Sequence, residues 1–101
     1  MIPGLPAQAS IAVEAILGAT PGVRQAVVYG SRAKGNFRPG SDVDICLDAP
    51  GLSLSQLGNL EDRIDDLYLP WKFDLTVRQK IADPALLEHI DRVGVVLERG
   101  S

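Results

Sequence analysis

The sequence predicts a small mixed α/β (α+β) domain, a sheet with helices packed on one face. Three observations carry that expectation. Short apolar alternations recur with helical stretches between them, in the order αβ(α)βαβαβ. Proline and glycine punctuate the junctions, at Pro21-Gly22, Pro70 and Gly94. The 101 residues allow one modest core, so residues 1–101 are expected to form a single domain.

Residues 8–19 read as a first helix, with Ala12, Ala15, Ile16 and Ala19 at helical spacing. Thr20-Pro21-Gly22 stops it, and the valine-rich stretch 23–29 reads as a strand. A short helical turn is expected over 31–35. Residues 43–48 form a second strand, with Val43, Ile45 and Leu47 on one face and Asp44, Cys46 and Asp48 on the other. A longer helix follows over 54–68, opened by the capping box Ser53-x-x-Gln56 and buried through Leu57, Leu60, Ile64 and Leu67. Its acids Glu61, Asp62, Asp65 and Asp66 belong to the solvated side. Residues 72–77 alternate again, with Phe73, Leu75 and Val77 inward. Asp83-Pro84 suits the N-cap and first turn of a helix to Arg92, and Val95 to Leu97 supply a last strand.

Composition narrows the function classes. A net charge of −3 argues against an extensive nucleic-acid surface, although Arg32, Lys34 and Arg38 form a local basic cluster. The single cysteine, Cys46, cannot make an internal disulfide and reads as a packed thiol. No apolar run is long enough to span a bilayer, and Met1 to Ala9 lack the pattern of a secretory signal. The cytoplasm is the expected address, with no membrane partner.

The chemistry concentrates in residues 27–48, VVYGSRAKGNFRPGSDVDICLD. Asp42 and Asp44, two apart at a strand entrance, project to one side with Cα atoms about 6–7 Å apart. Like charges held so close repel unless a cation lies between them. Hard divalent ions such as Mg²⁺ take carboxylate oxygens and substrate phosphates as ligands. The preceding loop supplies the complement. Gly30 permits close backbone approach, Ser31 adds a hydroxyl, a helical turn there would aim N–H groups at an anion, and Arg32 and Lys34 add positive charge. An anion cradle beside metal-binding acids points to a metal–polyphosphate substrate.

Three similar patterns fail. Gly30-x4-Gly35 opens like a P-loop, but Asn36-Phe37 stands where Lys-Ser/Thr is required. Asp42-x-Asp44 opens like an EF-hand, but Cys46 and Leu47 occupy positions that need an acid and a glycine. No G-x-G-x-x-G occurs. His89 is a lone helical histidine with no assigned role, Asp48 lies at the strand end, and Trp71 and Tyr68 read as core or partner contacts.

Gly30-Ser31, ten residues, then Asp42-x-Asp44 resembles the signature of the nucleotidyltransferase superfamily that includes DNA polymerase beta. The fuller string, Gly30-Ser31-Arg32-Ala33-Lys34-Gly35 followed by Ser41-Asp42-Val43-Asp44, looks like its smallest branch, the minimal nucleotidyltransferases. The resemblance runs from the first helix to the final Gly94-Val95-Val96-Leu97. It implies a polymerase-beta-like fold in which Gly30 and Ser31 hold a nucleoside triphosphate such as ATP. It implies that Asp42 and Asp44 bind two Mg²⁺ ions. Asp74 matches the family's third carboxylate, as metal ligand and general base. Lys34 stands where arginine is common and neutralises phosphate without a bidentate fork.

That branch is typically paired with a HEPN-domain toxin. The resemblance therefore implies an antitoxin that transfers AMP to a toxin tyrosine, in a hetero-oligomer with it. Two other readings stay open on the sequence: a non-catalytic partner acting by occlusion, and a subunit that nucleotidylates a small molecule with a partner's help.

Overall fold

A computed structural model describes residues 1–97, so the last four residues of the expected domain lie outside the described residues. The elements are α1 (Ala7–Gly18), β1 (Gln25–Tyr29), α2 (Gly30–Lys34), β2 (Val43–Asp48), α3 (Leu54–Asp65), β3 (Phe73–Val77), α4 (Pro84–Val93) and β4 (Val95–Leu97). A short 3₁₀ turn at Arg78–Lys80, not foreseen from the sequence, follows β3.

The strands form one four-stranded sheet in the order β3-β2-β1-β4. β1 is antiparallel to both β2 and β4, whereas β2 and β3 are parallel. A parallel pair needs a long crossover, and α3 supplies it. The core lies on one face of this sheet. Val43, Ile45 and Leu47 of β2, all 0% exposed, join Val28, Leu75 and Val77 against Val13 and Leu17 of α1 and Leu60 and Ile64 of α3. Alternation then turns Val27, Tyr29, Asp44, Cys46, Asp74 and Thr76 to the opposite face.

α1 and α3 make the helical layer, and α4 adds contacts at β1 from the other side. Its C-terminal Gly94 lies so close to Val27 that an added Cβ would collide with Val27 Cγ1 and with the Ile90 carbonyl. His89 of α4 meets Tyr29 edge to face, with centroids 6.4 Å apart and planes at 83°.

Local signals explain the boundaries. Ser53 Oγ accepts from Gln56 N–H and Gln56 Oε1 accepts from Ser53 N–H, completing the expected capping box. Asp83 Oδ1 accepts from Ala85 N–H, with Pro84 in the first turn of α4. α3 ends before residue 68 because the chain turns at Tyr68, φ 51°, ahead of Pro70. The buried stripe of α1 differs from the expected one: Ala9, Val13 and Leu17 face the core, while Ala15 and Ala19 are exposed. α1 is apolar nearly all round, and the larger Val13 and Leu17 gain more from burial than alanines do.

Candidate active site

The parallel register of β2 and β3 pairs Asp44 with Asp74, so the two side chains leave the sheet side by side on the same face. Asp42 lies two residues ahead of Asp44, where the chain enters β2. Asp44 is half-buried, and Asp42 and Asp74 are exposed. Burial raises the Asp44 pKa above the ordinary carboxylate value, and the charges of Asp74 and then Asp42 raise it further. Among the described residues, no three His, Cys, Asp or Glu side chains are drawn into a closed metal-ligand cluster. The three acids adjoin one another without converging on one point.

Gly30 lies directly beneath Asp44. Its φ is +73°, and a Cβ placed there would sit 2.5 Å from Asp44 Oδ2. Only glycine tolerates both the left-handed backbone and this approach. The turn from β1 into α2 therefore brings the start of the loop up against the acids. The chemistry of these donors suits a hard cation: all are carboxylate oxygens, one of them half-buried with its pKa raised by burial and then by its neighbours, with a bare backbone wall beside them.

Tyr29 pairs with Asp44 across β1 and β2 and shares its face. Its hydroxyl lies 3.2 Å from Thr76 Oγ1 on β3. Burial raises the phenol pKa, with smaller contributions from Asp44, Asp74 and Cys46, while the Thr76 contact lowers it. Ser31 is half-buried at the start of α2, and Lys34 is exposed in its last turn. Both stand beside the Gly30 turn.

Arg32 is placed otherwise than the sequence implied. It is 1% exposed, and its guanidinium donates to the carbonyls of Pro3 (2.9 Å), Pro39 (3.4 Å) and Ser41 (2.7 and 3.2 Å). Its Cζ also stacks 4.8 Å above the centroid of the Phe37 ring. These contacts leave it inside the loop rather than facing a phosphate. Trp71 supports the same segment, donating from Nε1 to the Pro39 carbonyl at 3.0 Å. Arg32 and Trp71 thus shape residues 36–41, which deliver Asp42.

His89, given no role above, reaches the site. Gly30 N–H donates to His89 Nε2 at 3.3 Å, so that Gly30 offers space rather than a free donor. A signal existed in the sequence. Leu86, Ile90 and Val93 mark the inward side of α4, and position 89 falls three after Leu86 and four before Val93.

A family model described as polymerase beta, nucleotidyltransferase, matches residues 12–99. No curated protein matches the chain. A solved toxin–antitoxin structure with AMP-PNP superposes at a TM-score of 0.72 and 20% identity, covering 88% of this chain and 72% of that one. The toxin–antitoxin pair MntA–HpeT, in a mutant form with two aspartates changed to glutamate, gives a TM-score of 0.66 at 19% identity. That match covers 82% of this chain and 67% of the other. At these identities the two structures share the fold.

Proposed function

This chain belongs to the polymerase beta, nucleotidyltransferase family, and from that premise we propose that it transfers AMP from ATP to a protein hydroxyl. The observation that carries the proposal is the register of Asp44 with Asp74 over the glycine turn at Gly30. Asp42, Asp44 and Asp74 would hold Mg²⁺, two ions in the complete site. Bound there, Mg²⁺ supplies charge neutralisation at the attacking and leaving oxygens of the reacting phosphate.

The protein's own groups position the reactants. Ser31 and the N–H groups that follow Gly30 contact the triphosphate, and Lys34 balances its charge. Asp74, exposed beside Asp44, accepts the proton of the attacking hydroxyl. That oxygen bonds to the α-phosphorus, the bond from α-phosphorus to the bridging oxygen breaks, and pyrophosphate leaves.

The acceptor we propose is a tyrosine of a HEPN-type toxin, which makes residues 1–101 one minimal antitoxin domain working in the cytoplasm. The fold shared with two toxin–antitoxin structures, one of them with AMP-PNP, supports this reading. No helix among the described residues is long and apolar enough to cross a membrane.

The test is transfer of label from α-labelled ATP to a co-expressed toxin, followed by mass spectrometry of the toxin. The wild-type chain is expected to leave an AMP adduct on a tyrosine. Asp74→Asn is expected to bind Mg²⁺–ATP and toxin yet slow transfer by about 10²-fold or more. A toxin without adduct that Asp74→Asn still neutralises fully would mean that occlusion, not transfer, is the activity.

A further inference from the structure

The glycine turn is held from a side that the sequence does not connect to it. α4 lies against the start of α2, and His89 Nε2 accepts the Gly30 N–H at 3.3 Å across a separation of 59 residues. The same ring stands edge-on to Tyr29, whose hydroxyl is tied to Thr76 Oγ1 at 3.2 Å. On the other side of Gly30 lies Asp44, whose Oδ2 occupies the space a side chain would need. The peptide between Tyr29 and Gly30 is thus gripped at its N–H, while the α-carbon just beyond it abuts the half-buried acid.

We infer that His89 is a positioning residue of the nucleotide site: its imidazole fixes the Tyr29–Gly30 peptide, and so the Gly30–Ser31 turn against which Asp44 lies. To accept this N–H, Nε2 must be unprotonated, which puts the ring proton on Nδ1. The N–H held by His89 is withdrawn from the triphosphate, so the loop's remaining donors are presented in one fixed orientation. A peptide free to rotate would lose that orientation and would let the turn drift under Asp44. This inference rests on the nucleotide reading of the site and adds to it a residue on an element outside the sequence motif.

Two substitutions separate the acceptor from the ring. His89→Phe keeps an aromatic edge against Tyr29 but cannot accept a hydrogen bond. His89→Gln loses the ring but can present Oε1 to Gly30. The readouts are exchange protection of the Gly30 amide by nuclear magnetic resonance and the Mg²⁺–ATP dissociation constant by calorimetry. The expected result is loss of Gly30 protection in His89→Phe, with about tenfold weaker Mg²⁺–ATP binding, and recovery to within about threefold of wild type in His89→Gln. His89→Leu gives the same comparison should the Phe variant fail to fold.

Equal affinity in wild type and His89→Phe, or His89→Gln as weak as His89→Phe, overturns the role of the acceptor. A Gly30 amide equally protected in all variants does the same. A wild-type chain that binds no Mg²⁺–ATP overturns the nucleotide reading itself, and with it the role inferred for His89.

Discussion

At the scale of single residues, Arg32 shows how adjacency misleads. It follows Gly30-Ser31 directly and carries the charge expected of a phosphate ligand, yet it donates to the main-chain carbonyls of Pro3, Pro39 and Ser41. Its removal therefore leaves acceptors unpaired instead of weakening a surface attraction. Arg32→Ala is expected to lower stability by about 2–4 kcal/mol in urea unfolding, from lost charge-assisted hydrogen bonds. Added salt should not reproduce the effect, because the Arg32 side chain is buried and its acceptors are neutral carbonyls. A variant as stable as wild type, whose Mg²⁺–ATP affinity falls only at low salt, would return Arg32 to direct phosphate contact. Gly30, Asp42 and Asp44 were legible in the sequence because their relation is local, a turn and an i, i+2 pair. Arg32 was not, because one acceptor, Pro3, lies 29 residues away. For His89 the spacing on α4 hinted at an inward side, but its bond to Gly30, across 59 residues, could not be read.

At the scale of elements, alternation and caps carried most of the information. β2 and β4 fall where the period-two pattern puts them, since each has a clean inward row between glycine or acidic boundaries. α1 was legible as a helix but not in its buried side, because alanines surround it and pattern alone cannot rank its faces. α3 was legible in its start and its inward row. Its reciprocal cap satisfies two amides that the first turn leaves open. Ser53→Ala is expected to cost about 1 kcal/mol in urea unfolding. Its Mg²⁺–ATP affinity should equal that of wild type, because α3 packs on the face opposite the acids. A loss of affinity in Ser53→Ala would show that α3 communicates with the site.

At the scale of the whole molecule, the sheet separates a dry face from an acidic one. On that acidic face, Asp44 is a cost to the fold. Its pKa is raised by burial, by Asp74 and by Asp42, so the folded chain holds that proton more tightly than the unfolded chain. Ionised Asp44 therefore detracts from stability at pH above its folded pKa, and the penalty is relieved as the pH falls through that value. Asp44→Asn is expected to melt at or above the wild-type temperature near neutral pH and to lose this part of the pH dependence. Mg²⁺–ATP at 100 times its dissociation constant should stabilise wild type by about 2.7 kcal/mol. For a chain this size that is a rise on the order of 10 °C. Asp44→Asn should lose most of the rise. Equal ligand shifts in the two proteins would place the nucleotide elsewhere.

The parallel pairing of β2 with β3 also sets when the site comes into being. Asp42 and Asp44 emerge during synthesis with the glycine turn, but Asp74 becomes their neighbour only after the α3 crossover has been made and β3 has docked. His89 arrives later still, on α4. A nascent chain stopped before residue 73 carries the motif without the third acid, and pairing across that crossover must bear its loop-closure entropy before it brings any return. Under the proposed function, competence for nucleotide would therefore arrive only once β3 has docked beside β2.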